Sequence, residues 1–146
     1  MSMIKLILLS ILPISELRGA ILYSKIVGMN QLASFFVATT ANILIIPILF
    51  MLLEHLHGHL RNYRTYRTLF YYQTKKVKRK IEKHIGTKWE YPALFFLVAI
   101  PMPFTGAYTG VFAAWLFRLN RKKSLYAIVL GVLTAGILVS SGLSIF

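Results

Sequence analysis

Glu16 and Arg18 are ionisable residues near the middle of an apolar stretch that covers residues 3–27, at the depth expected of the bilayer interior. A charge at the depth of a lipid bilayer costs about 2.5 to 3.5 kcal/mol on insertion scales, so such residues usually serve transport or have a dedicated partner. A carboxylate there can bind a proton, and a guanidinium beside it can bind an anion. The pair therefore predicts a site that couples a proton to an anionic cargo. In the alternative interpretation, the two side chains bind each other or backbone carbonyls and only hold the turn in place.

The apolar stretch is interrupted halfway by the sequence ILPISELRGA, and a second apolar stretch, residues 91–117, is interrupted by IPMPFTGAYTG. Proline removes an amide donor and glycine relaxes the backbone, so neither stretch can form one straight helix. We predict that each forms a re-entrant helical hairpin, whose open backbone must be buried in protein or line a polar cavity. The substrate- or ion-binding residues predicted at the two tips are Pro13, Ser15, Glu16, Arg18, Gly19, Pro101, Pro103, Thr105, Gly106, Tyr108, Thr109 and Gly110.

The second tip carries no charge. It offers hydroxyl groups and the predicted start of a half-helix, where free backbone amides attract anions. Gly106 and Gly110 also form a GxxxG pair, which is typical of close helix packing. Binding and packing therefore both remain open for these glycines.

The composition places the chain in a bilayer. Hydrophobic residues make up 57% of the 146 positions, and mean hydropathy is +0.65. Residues 31–53 and 124–146 are free of charge and reach the roughly 20 residues that a transmembrane helix needs. Cysteine is absent, and we find no hydrolase triad, phosphate-binding glycine loop or carboxylate cluster. We predict an all-α integral membrane protein that is not an enzyme and uses no cofactor.

Residues 57–90 form a basic linker that carries ten of the seventeen Lys and Arg residues. Its apolar residues follow spacings of three, four and seven, which predicts one face of an amphipathic helix at the cytoplasmic membrane interface: Tyr63, Tyr66, Phe70, Val77, Ile81 and Ile85. Anionic lipids are the predicted partners, and nucleic acid is not. The nearby His55, His57 and His59 could suggest a metal, but histidines also suit a helix end at a membrane surface, so no metal site is predicted.

A shift of the sequence against itself by 90 residues aligns the two proline breaks, Asn30 with Asn120, and Ser34 with Ser124. The two charge-free spans coincide at the same shift. We therefore predict two repeats, residues 1–56 and 91–146. Each has a re-entrant hairpin (about 3–29 and 91–117) followed by a transmembrane helix (about 31–53 and 124–146). Because the hairpins would enter from opposite sides, the repeats are predicted to be inverted, as in many secondary transporters.

The distribution of positive charge predicts the orientation. Residues 118–123 contain four basic residues, whereas the corresponding loop of the first repeat contains only Lys25. Basic loops stay in the cytoplasm. Re-entrant hairpins would place this loop and the linker there together, with both termini outside, whereas hairpins that crossed fully would export one basic cluster.

The motifs PISELRGA and PMPFTGAYTG, on either side of a basic linker, resemble the small multidrug export protein family of prokaryotic membrane proteins over nearly the whole chain. The paired hairpins with an acidic residue and an arginine also look like the wider DedA superfamily, whose members are associated with translocation of lipid carriers such as polyprenyl phosphates. That resemblance implies an anionic lipid cargo. It assigns proton coupling to Glu16 and binding of the anionic group to Arg18, with the second motif forming the opposing wall.

These observations favour a proton-linked transporter in the prokaryotic cytoplasmic membrane, for an amphiphilic or anionic cargo such as a lipid phosphate or a small exported compound. A homodimer is expected, because two spans and two hairpins form only a thin wall around a polar cavity. The alternative is a membrane scaffold that does not transport and binds anionic lipid or a protein partner through its basic linker.

Overall fold

The structure, a computed structural model, describes residues 1–12, 15–100 and 106–142, apart from the side chains of residues 80 and 81. All regular elements in these ranges are helical, as the sequence predicts. A short 3-10 turn, Glu82–His84, follows the fourth helix. The seven α-helices are α1 (Ser2–Ile11), α2 (Glu16–Val27), α3 (Gln31–Leu60), α4 (Arg64–Ile81), α5 (Glu90–Ala99), α6 (Ala107–Leu116) and α7 (Arg121–Ser140).

Helices α3 and α7 are long and apolar enough to cross a membrane. Large apolar side chains on both helices face outward, among them Leu32 and Phe36 on α3 and Tyr126 and Ile137 on α7, each at least 60% exposed. Such surfaces suit contact with lipid tails rather than water. These two helices agree with the predicted transmembrane spans.

The bounds of the two long helices differ from the charge-free stretches. Helix α3 continues to Leu60, beyond the predicted end at residue 53, because Glu54 ends the apolar run without breaking the helix. Its 30 residues measure about 45 Å, which is longer than a bilayer core of about 30 Å. Helix α7 begins at Arg121, where the side chain of Asn120 accepts a hydrogen bond from the amide of Lys123. Residues 143–146 of this predicted span lie outside the described residues.

The four short helices form two packed pairs, α1 with α2 and α5 with α6. Each has 10 or 12 residues, or about 15 to 18 Å, which is half the thickness of a bilayer core. Helices α1 and α5 both stop at a residue with extended backbone, Leu12 and Ile100, directly before a proline. A residue before proline avoids the helical conformation, so the sequence itself ends these helices.

The turns that lead into α3 and α7 have the same hydrogen bonds at a separation of 90 residues. In the first turn, the amides of Gly28 and Met29 donate to the carbonyls of Lys25 and Ser24. In the second, the amides of Arg118 and Leu119 donate to the carbonyls of Trp115 and Ala114. Asn30 and Asn120 then cap the following helices with their side chains. The aligned residues Ser34 and Ser124 are both buried one turn later.

Helices α3 and α7 run in opposite directions. Arg121, at the start of α7, forms an ion pair with Glu54 near the end of α3. At the opposite end of the molecule, the Nζ of Lys25, in the last turn of α2, donates to the carbonyl of Ser140 at the end of α7, at 3.0 Å. Between the halves, α3 of the first half packs on α6 of the second, and α7 of the second half packs on α2 of the first.

The amphipathic linker helix α4 packs against α5 and α6. Of its predicted apolar face, Val77 is buried and Phe70 contacts the rings of Phe112 and Trp115 on α6. Tyr63, just before the helix, is 65% exposed. The side chain of Ile81 lies outside the described part of the structure. Part of this face thus contacts the second half of the protein and not only the membrane interface.

One consequence of the shared turns can be tested directly. Arg118 has φ of 52° and Gly28 has φ of 73°, both in the left-handed region, where a side chain costs about 1 kcal/mol or more. Arg118→Gly is expected to stabilise the protein in detergent by about 1 kcal/mol, and Gly28→Ala to destabilise it by a similar amount. A Cβ at Gly28 would meet no atom within 4 Å, so steric clash does not contribute. The measurement is the unfolding midpoint of each variant; no gain for Arg118→Gly would contradict the strain argument.

Candidate functional site

The site lies where the start of α2 meets the start of α6. Glu16, the first residue of α2, is buried, with 7% of its surface exposed. Its Oε1 accepts a hydrogen bond from the amide of Tyr108 at 3.3 Å, and the carboxylate also accepts from the amide of Ala107. The first amides of a helix have no partner within that helix. The Glu16 carboxylate therefore caps α6 from the other half of the protein.

Gly106 makes this close approach possible. A Cβ at position 106 would lie 2.8 Å from the Cδ of Glu16 and even nearer to its Oε2, and φ of 125° disfavours any other residue there. Glu16 itself has φ of 47°. The two residues are 90 positions apart, so the same position of both repeats has an unusual backbone, and the two positions touch each other.

Arg18 reaches the other side of the second break. Its Nη2 donates to the carbonyl of Ile100, the residue that ends α5, at 3.2 Å. The end of a helix carries partial negative charge and the start carries partial positive charge. Arg18 and Glu16 thus place a cation at the end of α5 and an anion at the start of α6. This arrangement agrees with backbone binding, one of the two interpretations that the sequence left open.

A reciprocal contact reaches the first break. The hydroxyl of Tyr108, which is 90 residues from Arg18, donates to the carbonyl of Ile11, the last residue of α1. In addition, Nδ2 of Asn42, on α3, donates to the carbonyl of Ser10 at 3.2 Å. The end of each first half-helix is therefore bound by a side chain from another element. The two breaks are linked in both directions.

The structure brings Ser15, Glu16, Arg18, Gly106 and Tyr108 into or next to this site. Ser15 Oγ donates to the carbonyl of Leu9 at 2.7 Å and so closes the first hairpin. The predicted residues Pro13, Pro101, Pro103 and Thr105 lie outside the described residues.

The other predicted glycines have packing roles. A Cβ at Gly19 would clash with the side chain of Ser15, and one at Gly110 would lie 2.5 Å from Cγ2 of Val98 and 3.3 Å from Cγ1 of Ile128. Gly110 therefore lets α6 approach α5 and α7 closely. Within the GxxxG pair, Gly106 faces Glu16 and Gly110 faces apolar side chains, so the two glycines differ in role.

Thr109 and Tyr108 line a cavity of about 260 Å³ between α6, α3 and the linker helix. Gln73 and Val77 of α4 form its cover, and Leu49 and Leu53 form its α3 wall. The cavity thus places the basic linker next to the segment that binds Glu16.

Asn42 is absent from the residues predicted from the sequence. It is fully buried, and within the described ranges its Oδ1 has no hydrogen-bond partner. Thr39 and Ser34 on the same helix also have buried, unpaired hydroxyls within those ranges. The available signal was an amide side chain in the middle of a charge-free span, which is costly unless it serves another polar group.

His55 and His59 lie on one face of α3, and His57 lies on another. The rings of His55 and His59 are 5.1 Å apart, whereas Nδ1 of His57 lies 3.1 Å from the hydroxyl of Tyr66. Burial raises the pKa of Tyr66, which keeps its hydroxyl protonated. Among the described residues no group of three potential ligands could hold a metal ion.

Gly106→Ala tests the contact between the two repeats. The new Cβ would clash with the Glu16 carboxylate and occupy an unfavourable backbone region, so we expect a loss of about 2 kcal/mol or more in stability. Gly58→Ala is the matched control, because a Cβ there meets nothing within 4 Å and alanine favours a helix. Both are measured as unfolding midpoints in detergent. Equal stability of the two variants would show that Glu16 and Gly106 are not in contact.

Comparison with known proteins shows the family to which the chain belongs. The chain matches the family model described as "Putative small multi-drug export protein" over residues 16–138, more than four-fifths of its length. No curated protein and no solved structure matches it. The matched region begins at Glu16 and includes Arg18, α6 and most of α7. With two helices long and apolar enough to span a membrane and this match, the chain belongs to the small multi-drug export protein family of membrane proteins.

Proposed function

We propose that this protein exports an amphiphilic or anionic compound across the prokaryotic cytoplasmic membrane, in a cycle linked to proton binding at Glu16. The family description supports export in general terms. The observation that carries the finer proposal is the buried Glu16 carboxylate on the first amides of α6. These amides suit an anion, and in this structure the protein supplies the anion itself.

This arrangement suggests an exchange. A proton on Glu16 would remove the charge that holds it at the start of α6, where the helix dipole favours anions. The freed amides and the Arg18 guanidinium could then bind the acidic group of a cargo, because both donate hydrogen bonds to anions. Return of the carboxylate would displace the cargo. Proton binding and cargo binding would therefore share one set of hydrogen-bond donors.

The helix arrangement supports the proposed inverted repeats. Antiparallel α3 and α7, exchanged packing of α3 on α6 and α2 on α7, and half-length helices on both sides fit two re-entrant hairpins that meet at mid-depth. The ion pair between Glu54 and Arg121 brings the basic loop to the same end as the linker. We propose that this end is cytoplasmic and that both termini are outside.

Glu16→Gln and Arg18→Ala are expected to lower transport by about tenfold or more, because hydrogen bonds to charged groups contribute roughly 1.5 to 3 kcal/mol. Glu54→Gln is the control, since this carboxylate is about half exposed and lies in the surface ion pair with Arg121. Transport is measured in proteoliposomes with an imposed pH gradient. The probes are ethidium and a short-chain fluorescent polyprenyl phosphate, with proton movement followed by trapped pyranine.

Full transport by both site variants would overturn the assignment to Glu16 and Arg18. The scaffold alternative predicts a different pattern: no probe is moved by the wild-type protein, and the linker variant Lys75→Glu with Lys78→Glu loses binding to anionic vesicles. Both lysines are exposed on α4, so this double variant leaves the helix packing intact. A homodimer remains a further proposal, which the molecular mass in detergent would test.

A further inference from the structure

A second cavity, of about 530 Å³, lies at the end of the molecule that carries the basic loop and the linker. We call it the interfacial pocket. It lies between the last turns of α3, the linker helix, the end of α6 and the start of α7, and its lining includes Phe50, Glu54, His57, Phe70, Trp115 and Arg118. This volume is within the range of small-ligand sites.

Its position matches the headgroup region of a bilayer. Helix α3 is longer than the bilayer core, and Phe50, Glu54 and His57 lie on successive turns where it emerges. At the same end, the Nζ of Lys123 lies 5.8 Å from the ring centre of Tyr91, a residue type that is enriched at membrane–water interfaces. Tyr91 also accepts a hydrogen bond from the amide of Asn120.

The floor of the interfacial pocket is a fixed aromatic cluster. The ring of His57 lies 4.8 Å from the ring of Phe70 and 4.9 Å from that of Trp115. The hydrogen bond between His57 and Tyr66 holds the histidine in place. The floor is therefore preorganised. It offers an apolar surface to the apolar part of a ligand that adjoins the charged group.

The rim of the interfacial pocket has an excess of positive charge. Arg121 pairs with Glu54, and its guanidinium also lies 5.6 Å from the ring centre of Phe50. Within residues 1–12, 15–100 and 106–142, no carboxylate pairs with Arg118, whose side chain is exposed at the rim. One guanidinium is thus left to bind an anion.

Backbone strain singles out the same residue. Arg118 has φ of 52° in a turn whose counterpart in the first repeat has Gly28 with identical hydrogen bonding. Glycine would satisfy this turn at lower conformational cost. A strained residue that persists where glycine suffices points to a use for its side chain.

We propose that the interfacial pocket binds the phosphate headgroup of an anionic membrane phospholipid, with Arg118 on the phosphate and the aromatic floor under the glycerol and first methylenes. Arginine pairs with phosphate through two parallel hydrogen bonds, and basic pockets between spans on the cytoplasmic side suit such headgroups. This site is separate from Glu16 and does not depend on transport.

Trp115 provides the test. Trp89→Phe leaves it as the only tryptophan of the chain and is present in all samples. The protein is reconstituted with brominated phosphatidylglycerol or brominated phosphatidylcholine in otherwise matched vesicles. We expect stronger quenching by phosphatidylglycerol. In Arg118→Gly, which keeps the turn, the preference should fall by about fivefold, the factor that one basic residue near an anionic surface contributes.

Lys122→Ala is the matched control, since it removes one charge from the same loop but does not line the pocket, and it should retain the preference. Three outcomes would overturn the proposal: equal quenching by both lipids, an unchanged preference in Arg118→Gly, or an equal loss in Lys122→Ala. Inorganic phosphate is added to lipid-free protein in detergent as a separate arm. If Trp115 fluorescence changes saturably, the change requires Arg118 and no lipid preference is found, the ligand of the pocket is free phosphate and not a lipid headgroup.

Discussion

The architecture depends on how four helix ends in the interior of a membrane protein are satisfied. Each broken stretch leaves carbonyls at the end of one short helix and amides at the start of the next without partners in their own helices. Glu16, Arg18, Tyr108 and Asn42 bind three of these ends, and Ser15 closes the first turn. The sequence can tolerate two breaks because polar side chains are positioned for them.

Most of these contacts pass from one repeat to the other. Glu16 and Arg18 bind the break of the second half, and Tyr108 binds the break of the first. Each half therefore completes the backbone hydrogen bonding of its counterpart. Separation of the α1–α2 pair from the α5–α6 pair would break hydrogen bonds that satisfy both breaks.

The two ends of the molecule have different chemistry. At one end, Lys25 covers the last carbonyls of α7. At the other, the linker, the loop before α7 and an aromatic cluster surround the interfacial pocket. The turns before α3 and α7 share their hydrogen bonds but not their charge: Gly28 in one turn corresponds to Arg118 in the other. The asymmetry lies in side chains added to a shared backbone pattern.

The class of the protein follows from local sequence alone. The length of the apolar runs indicates the two spans. Proline ends α1 and α5, and the side chains of Asn30 and Asn120 cap the starts of α3 and α7. Each of these effects acts within a few residues. The 90-residue correspondence is also visible in the sequence.

Tertiary structure alone decided what the polar residues bind. Glu16 meets the amide of Tyr108 across 92 positions, and Arg18 meets Ile100 across 82, so no local spacing could indicate these pairs. The role of Asn42 and the aromatic floor around Trp115 likewise require helices distant in the chain to pack together. Local patterns determine where a helix begins and ends; which buried group satisfies that end depends on the packing of the whole chain.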